Sequence, residues 1–341
     1  MVDAALAQST GGGDAIDQAA AEVEAREPLT VRLFWENDAP QYRFGNETDR
    51  YYSNGTAVAV AWHPDWADDL AEYLPFAGAF GEPDRTGFGV TTGQLIFSPD
   101  DITRAELIPD DRPFAGYLYG GAYLQRMRNG VMDHFQLDLG LIGDSSFAQD
   151  TQELVHEILN DPDPNGWDNQ LADEVTVQFT YRRKWRFDLF RVEPFDTPID
   201  VQVIPEVAGF LGTVRRHVEG GGTLRFGYQL PDDFGAARLA DVNTTPGTLN
   251  AGFGAYGFVR GAARLVEHKV FLEGNNFRKS SHSVPIRTLV GEVQLGVVAS
   301  YTADPLQFEL GWSQTFRSEA FEGQEGGHSF GAWSLTFHYW F

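Results

Sequence analysis

The chain has no cysteine, no long apolar run and few cations for its size. Without cysteine it has neither a disulfide framework nor a thiolate nucleophile. A membrane-spanning helix needs a run of about 18 apolar residues, and none is present. No secretory signal is visible either: Met1 to Arg26 is Ala-rich and acidic and lacks an apolar centre. Lys and Arg number 25 against 49 Asp and Glu, a formal charge of -24. This argues against a nucleic-acid partner, which needs a basic surface.

Aromatic residues and glycine are abundant, with 26 Phe, 12 Tyr, 8 Trp and 37 Gly, while mean hydropathy is -0.30. That combination fits a β-barrel with two unlike faces. A chain of 341 residues has room for two soluble domains, but all-β barrels often run to this length as one. The expected division is a flexible leader over 1–28, with a short helix over Ala15–Ala25, followed by a barrel over 29–341.

Period-2 alternation is clearest in Val175–Phe187. Val175, Val177, Phe179, Tyr181, Trp185 and Phe187 share one face, and Thr176, Gln178, Thr180, Arg182, Lys184 and Arg186 share the other. The same rhythm runs through Leu29–Glu36, Thr56–His63, Thr86–Phe97, Phe114–Arg128 and the strand that follows the Asn129-Gly130 hairpin turn. It returns in Val201–Leu211, Thr223–Gln229, Leu289–Tyr301, Leu306–Trp312 and Trp333–Phe341. Ala57, Ala59 and Ala61 form a small-residue face suited to a crowded interior. No helix separates successive strands, so they are antiparallel. Turns such as Ala303-Asp304-Pro305 are short, and Pro64–Arg85 is longer. Repeated dyads of this kind are the signature of an outer-membrane barrel, in which closure pairs every backbone polar group. The count is twelve or thirteen strands, because Phe253–Phe277 reads as one long strand or two. Single-chain bacterial barrels have even strand numbers, which selects twelve. One segment breaks the rhythm: Leu154, Val155, Ile158 and Leu159 recur at helical spacing, predicting a loop helix within Ser145–Leu159.

Two groups of residues are suited to chemistry. Glu36, Asn37 and Asp38, then Thr48 to Gly55, place carboxylates, carboxamides and hydroxyls between two strands. Such hard oxygen donors suit calcium, although an ordinary loop of turn-formers has the same composition. Gln152 and His156 are four apart and share one helix face, and a neutral imidazole is a general base near neutral pH. Taken alone, a helix-surface histidine is the commoner explanation. Of the others, His134 and His338 read as lumen-lining, and His63, His217, His268, His282 and His328 lie near strand ends or loops. With the N-terminus in the periplasm, strand direction carries Asn37, Asp38 and the helix to one outer rim. Strand parity puts Asn37 on the lipid side with Trp35 but Ser53 on the lumen side, a conflict that a bulge would remove.

These motifs resemble those of the outer-membrane lipid A 3-O-deacylases. The resemblance rests on Glu36-Asn37-Asp38, Thr48-Asp49-Arg50-Tyr51-Tyr52-Ser53-Asn54-Gly55, Ser98-Pro99-Asp100-Asp101-Ile102, Arg112-Pro113-Phe114-Ala115-Gly116, Gly140-Leu141-Ile142-Gly143, Gln152-x3-His156 and Gly166-Trp167-Asp168-Asn169-Gln170. The motifs fall in the family's order and cover roughly residues 30–190. The tail around Phe271-Leu272-Glu273-Gly274-Asn275 is less specific. The resemblance implies a twelve-stranded barrel in the bacterial outer membrane with an active site at the outer leaflet, between the wall and a loop helix. It implies calcium-dependent hydrolysis of lipid A or lipopolysaccharide, with a mechanism like that of secreted phospholipases A2. Carried over residue by residue, His156 activates water, Asn37 and Asp38 help place calcium, and Gln152 orients His156 or the water. Ser53 stands where the family usually has threonine. A basic residue near the second outer loop would hold a lipid A phosphate, and Arg104 is the candidate for it. A monomer among outer-membrane lipids is expected. Two alternatives stay open: an outer-membrane phospholipase A with Ser53, His156 and Asn54 as a triad, and a non-enzymatic porin- or adhesin-like barrel.

Overall fold

The computed structural model describes residues 28–38, 50–239 and 251–341. The expected leader helix over Ala15–Ala25, together with Thr48 and Asp49 of the opening motif, lies outside the described residues.

Among the described residues one antiparallel sheet contains all the strands: β1 (Pro28–Asn37), β2 (Asn54–Trp62), β3 (Arg85–Phe97), β4 (Ala115–Arg128), β5 (Val131–Ile142), β6 (Glu174–Trp185), β7 (Phe187–Val192), β8 (Ile199–Gly212), β9 (Arg215–Tyr228), β10 (Gly252–Lys269), β11 (Leu289–Ala303), β12 (Leu306–Arg317) and β13 (His328–Trp340). β1 pairs with β13, and β6 pairs with β8, so the sheet closes on itself. β6 and β7 form a single wall strand. Lys184 faces Glu206 and Phe187 faces Val203 in one unbroken register along β8. The break falls at Arg186, just past the end of the β5 ladder at Val131, where β7 is left with β8 alone as partner. The barrel is therefore twelve-stranded, as expected. The ambiguous stretch Phe253–Phe277 forms one long strand, β10, followed by a helical turn at Val270–Glu273.

Alternation sets the two faces. In β6 Val175, Val177 and Phe179 are exposed on the outer face, while Thr176, Gln178, Thr180, Arg182 and Lys184 are buried within. Charges enclosed in this way need partners, and Arg182, Arg260 and Arg264 have them across the lumen. Arg182 binds Glu206 at 2.7 Å and Glu219 at 3.0 Å. Arg260 binds Glu219 at 2.7 Å and Glu292 at 3.0 Å, and Arg264 binds the same two carboxylates at 2.5 and 2.9 Å. At the end that holds Pro28 and Trp340, the segment before residue 240 folds inward. Leu239 packs with Phe34, Ala57, Ala59 and Tyr123, which accounts for the small-residue face of β2, and Phe234 packs with Met127 and Met132.

Connection lengths do not divide cleanly between the two ends. The connection between β8 and β9 on the outer rim is only Thr213-Val214, whereas the opposite rim carries two short helices, Trp66–Tyr73 and Ala77–Phe80, between β2 and β3. That segment lies on the outside of the wall, with Ala67 and Ala71 packed against Leu124 and Phe88. It covers Arg126, which faces outward and binds Asp133 at 2.8 Å, Ala71 O at 2.9 Å and Pro75 O at 2.6 Å. A guanidinium facing lipid without such cover is costly, so this connection is long for a reason.

Candidate active site

β1 and β2 meet at the outer rim with Asn37 opposite Asn54. Trp35 Nε1 donates to Asn54 Oδ1 at 3.0 Å, and Asn37 Nδ2 donates to the same oxygen at 3.3 Å. An indole N–H only donates, so it fixes which end of the Asn54 amide is oxygen. That in turn points the NH2 of Asn37 at Asn54 and its carbonyl oxygen the other way. Asp38 is buried, and its Oδ2 accepts the Arg50 main-chain N–H at 2.8 Å.

The parity conflict at Ser53 is resolved by a one-residue slip. Asn54 stands opposite Ile96 in the β2–β3 ladder, yet Ser53 N also bonds Ile96 O at 3.1 Å, and Tyr51 N bonds Ser98 O at 2.9 Å. Two residues of one strand thus oppose one of the other, which is the pattern of a β-bulge. Tyr51 at φ 67° accommodates the local turn. Tyr52 then points inward, where its hydroxyl donates to Glu36 at 2.7 Å, while Ser53 joins Asn37 and Asn54 on the outer side. Ser53 Oγ hydrogen-bonds Ser98 Oγ.

The predicted loop helix runs over Ala148–Leu159 and lies against the outer wall. Ala148 packs with Ile96, Ile102, Phe114 and Trp167, and Gln94 of β3 donates to Ser146 O at 2.7 Å. A Cβ at Gly116 would overlap Ser146 Oγ and Ala148 Cβ, so glycine is needed there for the close approach. One face of the helix leaves Leu154 and Ile158 exposed, and the other buries Gln152 and His156. The helix stops at Asn160 in a left-handed conformation (φ 57°). The turn that follows returns Pro162 O to 2.6 Å from His156 Nδ1. A carbonyl only accepts, so Nδ1 carries the proton and the neutral ring has its lone pair on Nε2. Gln152 is fixed in the same way: Trp167 Nε1 donates to its Oε1 at 3.0 Å, and its buried Nε2 has no hydrogen-bond partner among the described residues.

A cleft of about 420 Å³ opens between wall and helix, and Asn37, Asp38, Ser53, Gln152 and His156 all line it. Arg104 does not; its Nε is 3.9 Å from Glu106 on an exposed stretch. The cation on the cleft wall is Arg50, bound to Asp100 at 2.5 Å and to Glu325 O at 3.2 Å. Arg50 belongs to the motif already singled out, so a signal for it was available. Pro162 had no comparable signal, because it contributes only a carbonyl. Asp111 supports the neighbouring loop by accepting Asp100 N at 2.6 Å and Arg112 N at 2.7 Å. Burial raises its carboxyl above the ordinary carboxylate range despite those bonds.

Among the described residues no group of three or more His, Cys, Asp or Glu side chains is placed to hold a metal. Asn37 and Asp38, which line the cleft together with His156, offer a carboxamide oxygen and a carboxylate. These hard oxygens suit calcium, which also takes main-chain carbonyls and water.

The family model described as outer membrane protein LpxR matches residues 4–339. Among solved structures, LpxR from Salmonella typhimurium aligns with a TM-score of 0.70 at 19% identity, covering 91% of this chain and 99% of that one. This likeness shows a shared fold. The β-domain of the Bordetella autotransporter BrkA, 11% identical over 93% of this chain and 100% of its own, reaches only 0.42, too low to support an argument. No curated protein matches the chain in sequence. With all thirteen strand segments but the last residue of β13 inside the matched range, the chain belongs to the LpxR family of bacterial outer-membrane lipid A 3-O-deacylases, which are ester hydrolases.

Proposed function

We propose that the chain is a calcium-dependent hydrolase that removes the 3′-linked acyl or acyloxyacyl chain from lipid A in the outer leaflet. The observation that carries this reading is the convergence of Asn37, Asp38, Ser53, Gln152 and His156 on one cleft beside the lipid-facing wall. Exposed Trp35 below the cleft and exposed Leu154 and Ile158 on the helix make its surroundings apolar, so the acyl chains of a substrate can stay in the membrane while the ester enters.

His156 Nε2 takes a proton from water, and the resulting hydroxide attacks the ester carbonyl. Pro162 O holds the ring through Nδ1–H and favours the imidazolium that forms. The acyl C–O bond breaks, the fatty acid leaves, and the imidazolium returns its proton to the sugar oxygen. The oriented NH2 of Gln152 donates to the attacking water or to the carbonyl oxygen, and the Ser53 hydroxyl lines the same space. Calcium held by Asn37 and Asp38 would supply Lewis-acid polarisation of the carbonyl, worth several kcal/mol in such sites.

The bonds of Asn54 to Trp35 and Asn37, and that of Ser53 to Ser98, give a Ser–His–Asn triad no support. The test is mass spectrometry of lipid A from cells expressing wild type or His156→Ala. The expected result is loss of the 3′ acyl chain only with wild type. Deacylation by His156→Ala would remove His156 as the base, and covalent labelling of Ser53 by an organophosphonate would restore the triad.

A further inference from the structure

A second chamber lies on the inner side of the same wall. Asn37, Ser53 and Ile96 face the cleft, and their chain neighbours Glu36, Tyr52 and Phe97 face inward onto a cavity of about 150 Å³ in the upper lumen. Among the described residues five cations line this cavity (Arg182, Arg215, Arg264, Lys269 and Arg317) against three carboxylates, Glu36, Asp138 and Glu219.

Three of the five cations are neutralised. Arg182 and Arg264 bind the glutamates described above, and Arg317 binds Glu292 at 2.8 Å. Lys269 and Arg215 are different. Among the described residues neither has a carboxylate within ion-pair distance. Lys269 Nζ lies 5.7 Å from the centroid of Phe97, and the Arg215 guanidinium lies 4.5 Å from that of Phe210. Arg215 Nε is buried without a hydrogen-bond partner. Ring faces are weak compensation for an enclosed charge, and lumenal glutamates close by already neutralise other arginines. Around the two cations the wall is aromatic and aliphatic, with Tyr117, Tyr119, Val214 and Phe271. A mostly apolar cavity with a few convergent charged groups is the usual form of a ligand site.

We propose that the upper lumen is a binding site for a small oxyanion, a phosphate or a carboxylate, held by Lys269 and Arg215. The site is separate from the catalytic cleft and does not depend on the proposed mechanism. It has the Tyr52–Glu36 hydrogen bond in its lining, one residue away from Ser53 and from Asn37.

The test uses the full chain, purified in detergent, with inorganic phosphate or octanoate titrated at constant ionic strength against chloride, followed by thermal unfolding and calorimetry. Wild type is expected to show a saturable rise in Tm with at least one of the two anions; phosphate alone would identify a phosphoryl site, octanoate alone a site for a fatty carboxylate. Lys269→Met and Arg215→Met should each weaken binding at least about tenfold, the loss of one charged contact. Without anion, Lys269→Met should be at least as stable as wild type, because it removes a buried amine that has no acidic partner among the described residues. Lys269→Arg, which keeps the charge, should keep binding, and it serves as the reference should Lys269→Met fail to fold. No saturable shift with either anion overturns the proposal, as does equal binding by wild type and Lys269→Met, or loss of binding in Lys269→Arg. His156→Ala should bind the anion like wild type, so failure here is distinguishable from failure of the catalytic reading.

Discussion

Inside the barrel, Arg182, Arg260 and Arg264 share Glu219 at 2.5 to 3.0 Å. Across the wall, three side chains of the cleft are held by other means. Asp38 accepts a main-chain N–H, His156 donates to a main-chain carbonyl, and Gln152 accepts from an indole. Most of these side chains are buried in both regions, yet the two regions use polarity in opposite ways. A charge neutralised by another charge is stable and chemically inert. A side chain gripped at one end by the backbone has its orientation fixed while its reactive atom points towards a ligand. The ion-paired part of the lumen therefore reads as structure and the cleft as chemistry, and substitutions in the two should fail differently.

The largest effect is expected at His156. General-base catalysis contributes roughly 10²- to 10⁴-fold, so His156→Ala should lower deacylation by about that factor while the barrel still migrates as a folded species in unheated gels. Wild-type turnover, quantified by mass spectrometry, would end the assignment. Calcium removal comes next. Excess chelator should stop turnover and added calcium restore it, and Asp38→Ala should match the chelated wild type, since metal polarisation is worth several kcal/mol. Full activity in chelator would take the metal out of the mechanism.

Glu219→Gln tests the other side of the comparison. It leaves Arg182, Arg260 and Arg264 short of a shared partner, and breaking buried pairs typically costs about 3–5 kcal/mol. The unfolding midpoint in denaturant should drop by a corresponding amount while turnover per folded molecule is kept. A turnover defect with an unchanged midpoint would show that the lumen is not merely structural.

Most of the barrel was legible because its two solvents impose a period of two on each wall strand, as in β6. The rhythm failed where side chains stop reporting it. The first half of β9 was missed because Gly220, Gly221 and Gly222 have no side chain to mark a face, although Gly221 sits in the sheet, where a Cβ would meet Gly261 O. The first residues of β13, from His328, and the end of β12, to Arg317, were missed because most of them are polar or small, and Phe316 and Phe330 stand alone there without an alternating partner. For the site, strand direction alone brought Asn37, Asp38 and the helix to one end. The bulge at Ser53 has no side-chain signature, because it is a slip in backbone pairing. The partner of His156 is a carbonyl, which every residue possesses. Arg104 was favoured for its place in the second loop, and the cleft has Arg50 instead.

Two smaller substitutions sharpen the account of the cleft. Gln152→Glu keeps an oxygen for Trp167 Nε1 and removes the only donor of that side chain. If the NH2 serves the water or the carbonyl oxygen, turnover should fall by about tenfold, equivalent to a hydrogen bond of roughly 1.5 kcal/mol, with the Trp167 environment unchanged in fluorescence. Unaltered turnover would reduce Gln152 to a packing role. Ser53 should matter least. Its hydroxyl is bonded to Ser98, so Ser53→Ala removes a hydrogen bond worth ~1 kcal/mol and should slow deacylation by only several-fold, with Ser53→Thr close to wild type. Near-complete loss in Ser53→Ala would instead make the hydroxyl a nucleophile. The cleft would then work by acyl transfer to the protein rather than by direct attack of water, and the contrast between its backbone-held side chains and the ion-paired lumen would have to be drawn around a serine.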